Sequence, residues 1–514
     1  MTANSNSRQF VPTGIVGLDA VLMGGFLQGG FYLFQGDPGS GKTTLALQFA
    51  QARLRAGERC LYVSLTESRR DIDSTCRSHG WSIAGLSLLD LARASSVEAD
   101  SQVSVFHPAD TELSEIIKAV LAAVERQQPQ NVVFDGLSEL RLLSGDPLRY
   151  RRQLLSLKDF FANKSTTVLL LDDRSAAFAD FQPESLVGAN IMLDRHMPLY
   201  GRARRRLYVT KVRGCDFREG YHDYELVTGG LVLYPRLVAG EHRAPASEQQ
   251  STSGPQLRTS GIANLDKMLC GGLHAGSTAL LIGPAGAGKS TISVQFVVNA
   301  LRQGDKAAMY LFDEVMHTLV ERAEKLCLGK RGGFTAFIDE GSLHVQQVDP
   351  AELTPGAFTH EVRRAVDAGA KVIVIDSLNG YTSAMPEERF LETHLHELFA
   401  FLNQRGVLTL LVVAQHGMML GAGIPVGVDV SYLADTVLLF RYYEHEGAIS
   451  QALSVFKKRT GPHERTIREL VIDEQGVHVG EPLRQLHGIM SGIPQYAGQL
   501  AAVPAVPAAV EPKP

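Results

Sequence analysis

The chain is poor in the residues that staple exported domains. It has five cysteines in 514 residues, Cys60, Cys76, Cys215, Cys270 and Cys327, odd in number and without a C-x-x-C spacing. That excludes a disulfide framework or a paired-cysteine zinc site as the organising feature and fits a reducing compartment. The single tryptophan, Trp81, has no stacking partners in sequence, so a nucleobase platform has no support. No run of about 18 apolar residues occurs to span a bilayer as a helix, and the polar Met1 to Gln9 lacks a signal core. Excess positive charge is missing too: the formal net charge is -5, the wrong sign for a protein that grips polyanions over its whole surface. A cytoplasmic globular protein is expected, with no membrane and no general nucleic-acid affinity.

What is present is one phosphate-binding signature written twice. Gly36-Asp37-Pro38-Gly39-Ser40-Gly41-Lys42-Thr43 and Gly283-Pro284-Ala285-Gly286-Ala287-Gly288-Lys289-Ser290 both fit G-x-x-x-x-G-K-[ST], each after a short apolar run and before a helical pattern that continues through Thr44 and Thr291. Glycines let successive backbone N–H groups turn towards phosphate oxygens, and the following helix N-terminus adds partial positive charge. Lys42 and Lys289 would reach the β- and γ-phosphates of ATP, and the Thr43 and Ser290 hydroxyls would hold Mg²⁺.

Subtraction tests whether the two loops belong to duplicated domains. Lys289 minus Lys42 gives 247, and so do Asp266 minus Asp19, Gly271 minus Gly24 and Glu314 minus Glu67. Asp376 minus Asp135 gives 241, and Arg459 minus Arg213 gives 246. Near-constant offsets in unchanged order mean duplication with small loop changes. The expected organisation is a short N-terminus (1–9), a first domain (10–240), a Ser/Pro/Gln-rich linker (241–257), a second domain (258–496) and a disordered Ala/Pro-rich tail (497–514). Within each copy, apolar strands alternate with amphipathic helices. In the first, strands at 30–35, 60–65, 131–134 and 166–171 are separated by helices at 43–54 and 112–126. The fold class is therefore α/β: two tandem domains, each a mainly parallel twisted sheet flanked by helices, with ligands at the carboxyl ends of the strands.

Phosphoryl transfer needs a Mg²⁺ shell, an oriented nucleophile and compensating positive charge. Val132-Val133-Phe134-Asp135 and Val372-Ile373-Val374-Ile375-Asp376 are apolar strands ending in the aspartate that would order the metal's water ligands; the competing explanation for each is a turn or cap residue. Glu67 and the Asp313-Glu314 pair end the second strand of their copies, where a carboxylate could orient or deprotonate water, although a solvated loop carboxylate is the commoner fate. Lys211, Arg213, Lys457 and Arg459 follow late strands and could project as trans fingers into a neighbour's γ-phosphate, or form ordinary surface salt bridges.

With these residues in view, Pro12-Thr13-Gly14-Ile15-Val16-Gly17-Leu18-Asp19, Gly24-Gly25 and the first loop resemble the KaiC family of RecA-like ATPases. Thr259-Ser260-Gly261-Ile262-Ala263-Asn264-Leu265-Asp266, Gly271-Gly272 and the second loop repeat the pattern, and 486–494 resembles the segment after the second domain of that family. The resemblance implies an ATPase stacking two rings, usually a homo-hexamer with ATP at subunit interfaces, read by signalling proteins, with serine/threonine autokinase activity in the second ring. The family ends its second strand with two acids. Here the leading one is Thr66 in the first copy and Asp313 in the second, which implies weaker hydrolysis in the first domain. The family's phosphorylated pair aligns with Ser431-Tyr432, making Ser431 the candidate phosphosite. Gln415 resembles the γ-phosphate sensor of RecA-like proteins, whereas Asp172 and Asp173 in the first copy would put negative charge near phosphate.

Three features carry less. The basic run Arg202-Ala203-Arg204-Arg205-Arg206 reads as a solvated turn, and His394 and His396 face different sides of a helix. The runners-up to a signalling switch are a DNA-dependent RecA-like motor and a scaffold that binds ATP without hydrolysing it.

Overall fold

The computed structural model describes residues 9–92, 108–174, 183–199, 201–242, 256–326, 333–349, 351–383, 390–415, 432–473, 476–489 and 495–496. Residues 1–8 of the expected N-terminus, most of the linker, the tail, Ser431 and all of 490–494 lie outside the described residues. Two compact units divide between Arg236 and Leu237, a few residues before the 240 read from sequence. Leu237 is buried with the apolar residues of the second unit, and the Ala239 N–H donates to Glu397 Oε2 at 2.9 Å.

The first unit is built on a nine-stranded sheet. Its strands are β1 (Phe31–Gly36), β2 (Cys60–Ser64), β3 (Ser87–Asp90), β4 (Asn131–Asp135), β5 (Thr167–Asp173), β6 (Ala189–His196), β7 (Arg204–Val212), β8 (His222–Val227) and β9 (Gly230–Tyr234). They lie in the order β3-β2-β4-β5-β1-β6-β7-β8-β9. The run from β3 to β6 is parallel, and β6 to β9 is antiparallel.

The second unit repeats this arrangement with β10 (Thr278–Gly283), β11 (Lys306–Leu311), β12 (Leu343–Gln347), β13 (Ala370–Asp376), β14 (Leu408–Ala414), β15 (Thr436–His445), β16 (Ala448–Lys458), β17 (Ile467–Asp473) and β18 (Gly476–Pro482). Its order is β12-β11-β13-β14-β10-β15-β16-β17-β18, the first order with nine added to every label. Duplication read from residue offsets is thus duplication of topology.

The central strands are apolar throughout because helices cover both faces of the sheet. On β4 the alternation is visible within one strand: Val133 joins one buried cluster, while Val132 and Phe134 join the other. Phe134 meets Phe161 edge to face at 6.1 Å. Burying a ring of that size contributes about 2 kcal/mol.

The sequence reading differs from the structure at two edges. The helix expected at 112–126 begins at Pro108, because proline suits a first helical turn. The basic run is not a turn: Arg204, Arg205 and Arg206 open β7 and pair with His196, Arg195 and Asp194 of β6. Acidic neighbours on β8 accommodate their charge, with Arg206 Nε 3.4 Å from Asp223 and Arg202 3.6 Å from Glu225.

Candidate nucleotide sites

Both phosphate loops connect a buried strand to a helix, β1 to α1 (Lys42–Arg55) and β10 to α2 (Lys289–Arg302). Gly41 and Gly288, just before these helices, have φ of +99° and +93°. A Cβ on Gly41 would lie 2.9 Å from Leu226, and one on Gly288 2.9 Å from Leu470 and Ile472. The left-handed turn and the lack of space both require glycine, and the turn is what aims the loop's N–H groups inward.

The lysines curl over their own loops. Lys42 Nζ donates to the carbonyls of Gly36 (2.8 Å) and Asp37 (3.1 Å), and Lys289 Nζ to those of Gly283 (2.8 Å) and Pro284 (2.6 Å). Both side chains are buried. Burial pulls the Lys289 ammonium down to about 8, opposed by the Asp376 charge. A desolvated cation at the head of a helix is a strong anion receptor.

The strand-end aspartates meet the hydroxyls as the metal reading requires. Thr43 Oγ1 donates to Asp135 Oδ2 at 3.0 Å, and Ser290 hydrogen-bonds Asp376. Burial raises the pKa of both acids above the ordinary carboxylate value. Their surroundings differ, because Tyr62 OH also donates to Asp135 Oδ2, while the matching residue in the second copy is Met309. Asp376 Oδ2 accordingly has no hydrogen-bond partner although buried. A hydroxyl, a buried carboxylate with an open oxygen and a lysine together fit Mg²⁺ bound with phosphate.

A cleft of about 370 Å³ opens over the first loop and includes Lys42, Thr43, Glu67, Asp135 and Asp173. Glu67 faces it with Oε2 buried and unpartnered. Burial, then the charges of Asp135 and Asp71, raise its pKa. Its counterpart Glu314 is instead clamped by Arg322, whose Nη1 and Nη2 donate to the two carboxylate oxygens at 2.7 and 2.9 Å. The residue equivalent to Arg322 in the first copy is Thr75. Asp313 accepts from Ser377 Oγ.

The third strand-end position carries a correction. Asp172 does not face the loop: it is buried on the other side of β5, where Arg141 Nη2 donates to Oδ1 at 2.6 Å. Burial pushes Asp172 up to about 6 despite that guanidinium. Only Asp173 reaches the loop, forming an ion pair with Lys42 at 2.7 Å. Register also moves the sensor comparison by one residue. Gly36 pairs with Asp173, and Gly283 with Ala414, so Gln415 corresponds to Arg174. The Gln415 side chain accepts from Arg441; Arg174 faces Asp194 at 3.7 Å. A cation paired with an acid in the first copy is thus a neutral amide held by a cation in the second.

The late cations hold their own chain's backbone in the same way in both copies. Lys211 Nζ donates to Glu184 O (2.6 Å) and Arg213 to Ser185 O (3.2 Å); Lys457 donates to Ala434 O (2.9 Å) and Arg459 to Tyr432 O (2.8 Å). The structure places them away from their own phosphate loops. Sequence reasoning missed Tyr62, Arg141, Arg322 and Arg441. Comparing equivalent positions across the two copies would have exposed Tyr62 against Met309 and Thr75 against Arg322.

Two tandem phosphate-loop domains, each with a parallel sheet core, a strand-end aspartate and an antiparallel extension, define a RecA-like ATPase. The KaiC ATPase family matches residues 11–238 and 258–484, and the chain belongs to that family. It is 25% identical over 496 residues to the circadian clock protein KaiC3 of Synechocystis sp., covering 95% of each chain. It is 26% identical over 490 residues to the circadian clock oscillator protein KaiC of Thermostichus vulcanus, covering 94% of this chain and 91% of the relative. The KaiC of Synechococcus elongatus is 25% identical over 491 residues, covering 94% and 91%. Among the described residues no helix is long and apolar enough to cross a membrane.

Proposed function

We propose that this chain is an ATP-hydrolysing signalling switch of the KaiC kind. It assembles as a cytoplasmic homo-hexamer of stacked rings, with Mg-ATP at subunit interfaces, and other proteins read its nucleotide state. The observation that carries the reading is that each domain converges a lysine, a hydroxyl and a buried strand-end aspartate on one glycine-built loop. Bound ATP with its magnesium supplies the phosphoryl group and the charge that neutralises it. The chain's own residues then divide the work. Lys42 and Lys289 exchange backbone carbonyls for phosphate oxygens, Asp135 and Asp376 order the metal's water shell, and Glu67 accepts a proton from water at Oε2. Arg213 and Arg459, both exposed, are the charges offered to a neighbouring subunit. In the second ring Gln415, held by Arg441, senses the γ-phosphate, Asp313 and Glu314 form the acidic pair, and Ser431 accepts phosphate in an autokinase reaction.

The test is labelled-nucleotide stoichiometry with phosphate release. Two equivalents of ATP per chain are expected, falling to one in Lys42→Ala or Lys289→Ala, with steady phosphate production that single-stranded DNA leaves unchanged. A single equivalent in the unaltered chain, or stimulation by DNA, would overturn the reading; binding without turnover would leave only an ATP-assembled scaffold. Phosphosite mapping after Mg-ATP incubation tests Ser431.

A further inference from the structure

The two loop lysines meet different neighbours at the end where a third phosphate would lie. In the first domain Asp173 sits opposite Gly36 in the sheet register and holds Lys42 Nζ at 2.7 Å. Its position is fixed from behind: Arg141, buried, donates to Asp172 Oδ1 at 2.6 Å and to the Asp173 carbonyl at 3.0 Å. Glu67 and Asp135 line the same cleft. Positive charge lies instead along the loop itself, where Arg195 Nη1 is 2.8 Å from the place a Cβ on Gly39 would occupy.

The second domain keeps the equivalent acids Glu314 and Asp376 but differs beside the lysine and along the loop. Ala414 replaces Asp173 in the register, and among the described residues no carboxylate forms an ion pair with Lys289. Beside Gly286 the loop meets the Tyr442 hydroxyl, which donates to Ala285 O at 3.1 Å. The cation has moved one residue along the strand to Arg441, which holds Gln415.

A phosphate loop cradles the α- and β-phosphates with its backbone, and its lysine reaches the β/γ end. A carboxylate anchored on that lysine therefore competes with the γ-phosphate and not with the cradle. We infer that the first-domain site selects a nucleoside diphosphate over the triphosphate, with Asp173 as the specificity-determining residue, while the second-domain site favours the triphosphate. The inference rests on reading both loops as nucleotide sites. The first domain would then retain ADP after each turnover, making it the slow tier.

Calorimetric titration of the full chain tests this, with Mg-ADP and Mg-β,γ-imido-ATP as probes. In the Lys289→Ala background, the first site is expected to bind ADP about tenfold more tightly than the triphosphate analogue, and Asp173→Asn to shift that ratio about tenfold towards the analogue. The reciprocal variant, Ala414→Asp in the Lys42→Ala background, should weaken the analogue at the second site and leave ADP within about twofold. Unchanged ratios in both variants, with binding retained, overturn the diphosphate preference alone. Loss of both nucleotides from either single-site background overturns the nucleotide-site reading and the inference together.

Discussion

At the residue scale, the two copies differ less in which acids they carry than in what each acid touches. Glu67 and Glu314 stand at equivalent positions, but Arg322 satisfies both oxygens of Glu314, whereas Glu67 keeps one buried oxygen open. A carboxylate paired to a guanidinium is a poor proton acceptor; one raised by burial and neighbouring charge is a better one. Glu67→Gln, measured in the Lys289→Ala background, should lower first-domain phosphate release about a hundredfold without abolishing nucleotide binding. Its raised pKa gives the rate a pH dependence: activity should hold at neutral pH and fall on acidification, at a higher pH than an ordinary glutamate would impose. A rate unaltered by the substitution would remove Glu67 from the reaction. The same contrast qualifies the expectation from Thr66. Losing the leading acid does not leave the first domain without a base, so the carboxylate on Lys42 is the stronger reason to expect slow turnover there.

At the element scale, the antiparallel extension braces the phosphate loop, and it contains a pH-sensitive joint. Tyr224 of β8 donates to Ser40 O at 2.6 Å, and Gln451 of β16 donates to Gly286 O at 3.1 Å, so late strands hold both loops in shape. His222, at the start of β8, is fully buried and neutral: its Nε2 faces the Arg218 carbonyl at 3.0 Å, and its Nδ1 accepts the Arg236 N–H at 2.9 Å. Burial lowers its pKa from 6.5 to about 4. Between those values the unfolded chain binds the extra proton, so the stabilisation is complete above pH 6.5 and is lost as the pH falls towards 4. The loss amounts to about 3 kcal/mol. Thermal melts of the first domain's transition should show this slope, and His222→Asn should flatten it; equal slopes would show that other groups carry the acid sensitivity.

Over the whole molecule, the duplication preserved topology strand for strand while letting the sites diverge. Assembly should follow nucleotide. Light-scattering mass with Mg-ATP is expected to rise from monomer towards a hexamer, and Lys289→Ala should impair this more than Lys42→Ala if, as proposed, the second site favours the triphosphate and presents it to a neighbour's Arg459. Nucleotide-independent mass would contradict it. Much of this scale was legible beforehand: the offsets of 247 and 241 predicted two like domains, and alternating apolar segments predicted a parallel sheet. The antiparallel strands β7 to β9 were harder to read because the strands of this extension carry polar residues on a face, as in Arg204–Arg206. The motif residues Asp19 and Asp266 prove architectural. Each accepts the N–H six residues upstream, Thr13 or Ser260, at 2.7 Å, and so shapes the turn before the first sheet strand.

The sequence by itself determined the phosphate loops, the duplication and the residue types of the chemistry, because these depend on local spacing and on glycine's freedom at Gly41 and Gly288. Only the tertiary structure decided which charges meet. Asp172 and Asp173 are adjacent in sequence, yet strand alternation sends one to Arg141 and the other to Lys42. Glu314 finds Arg322 eight residues further on, where the first copy has Thr75 and Glu67 keeps an oxygen open. Pairing of charges depends on side-chain direction and on register across strands far apart in the chain, and neither is encoded in any single segment.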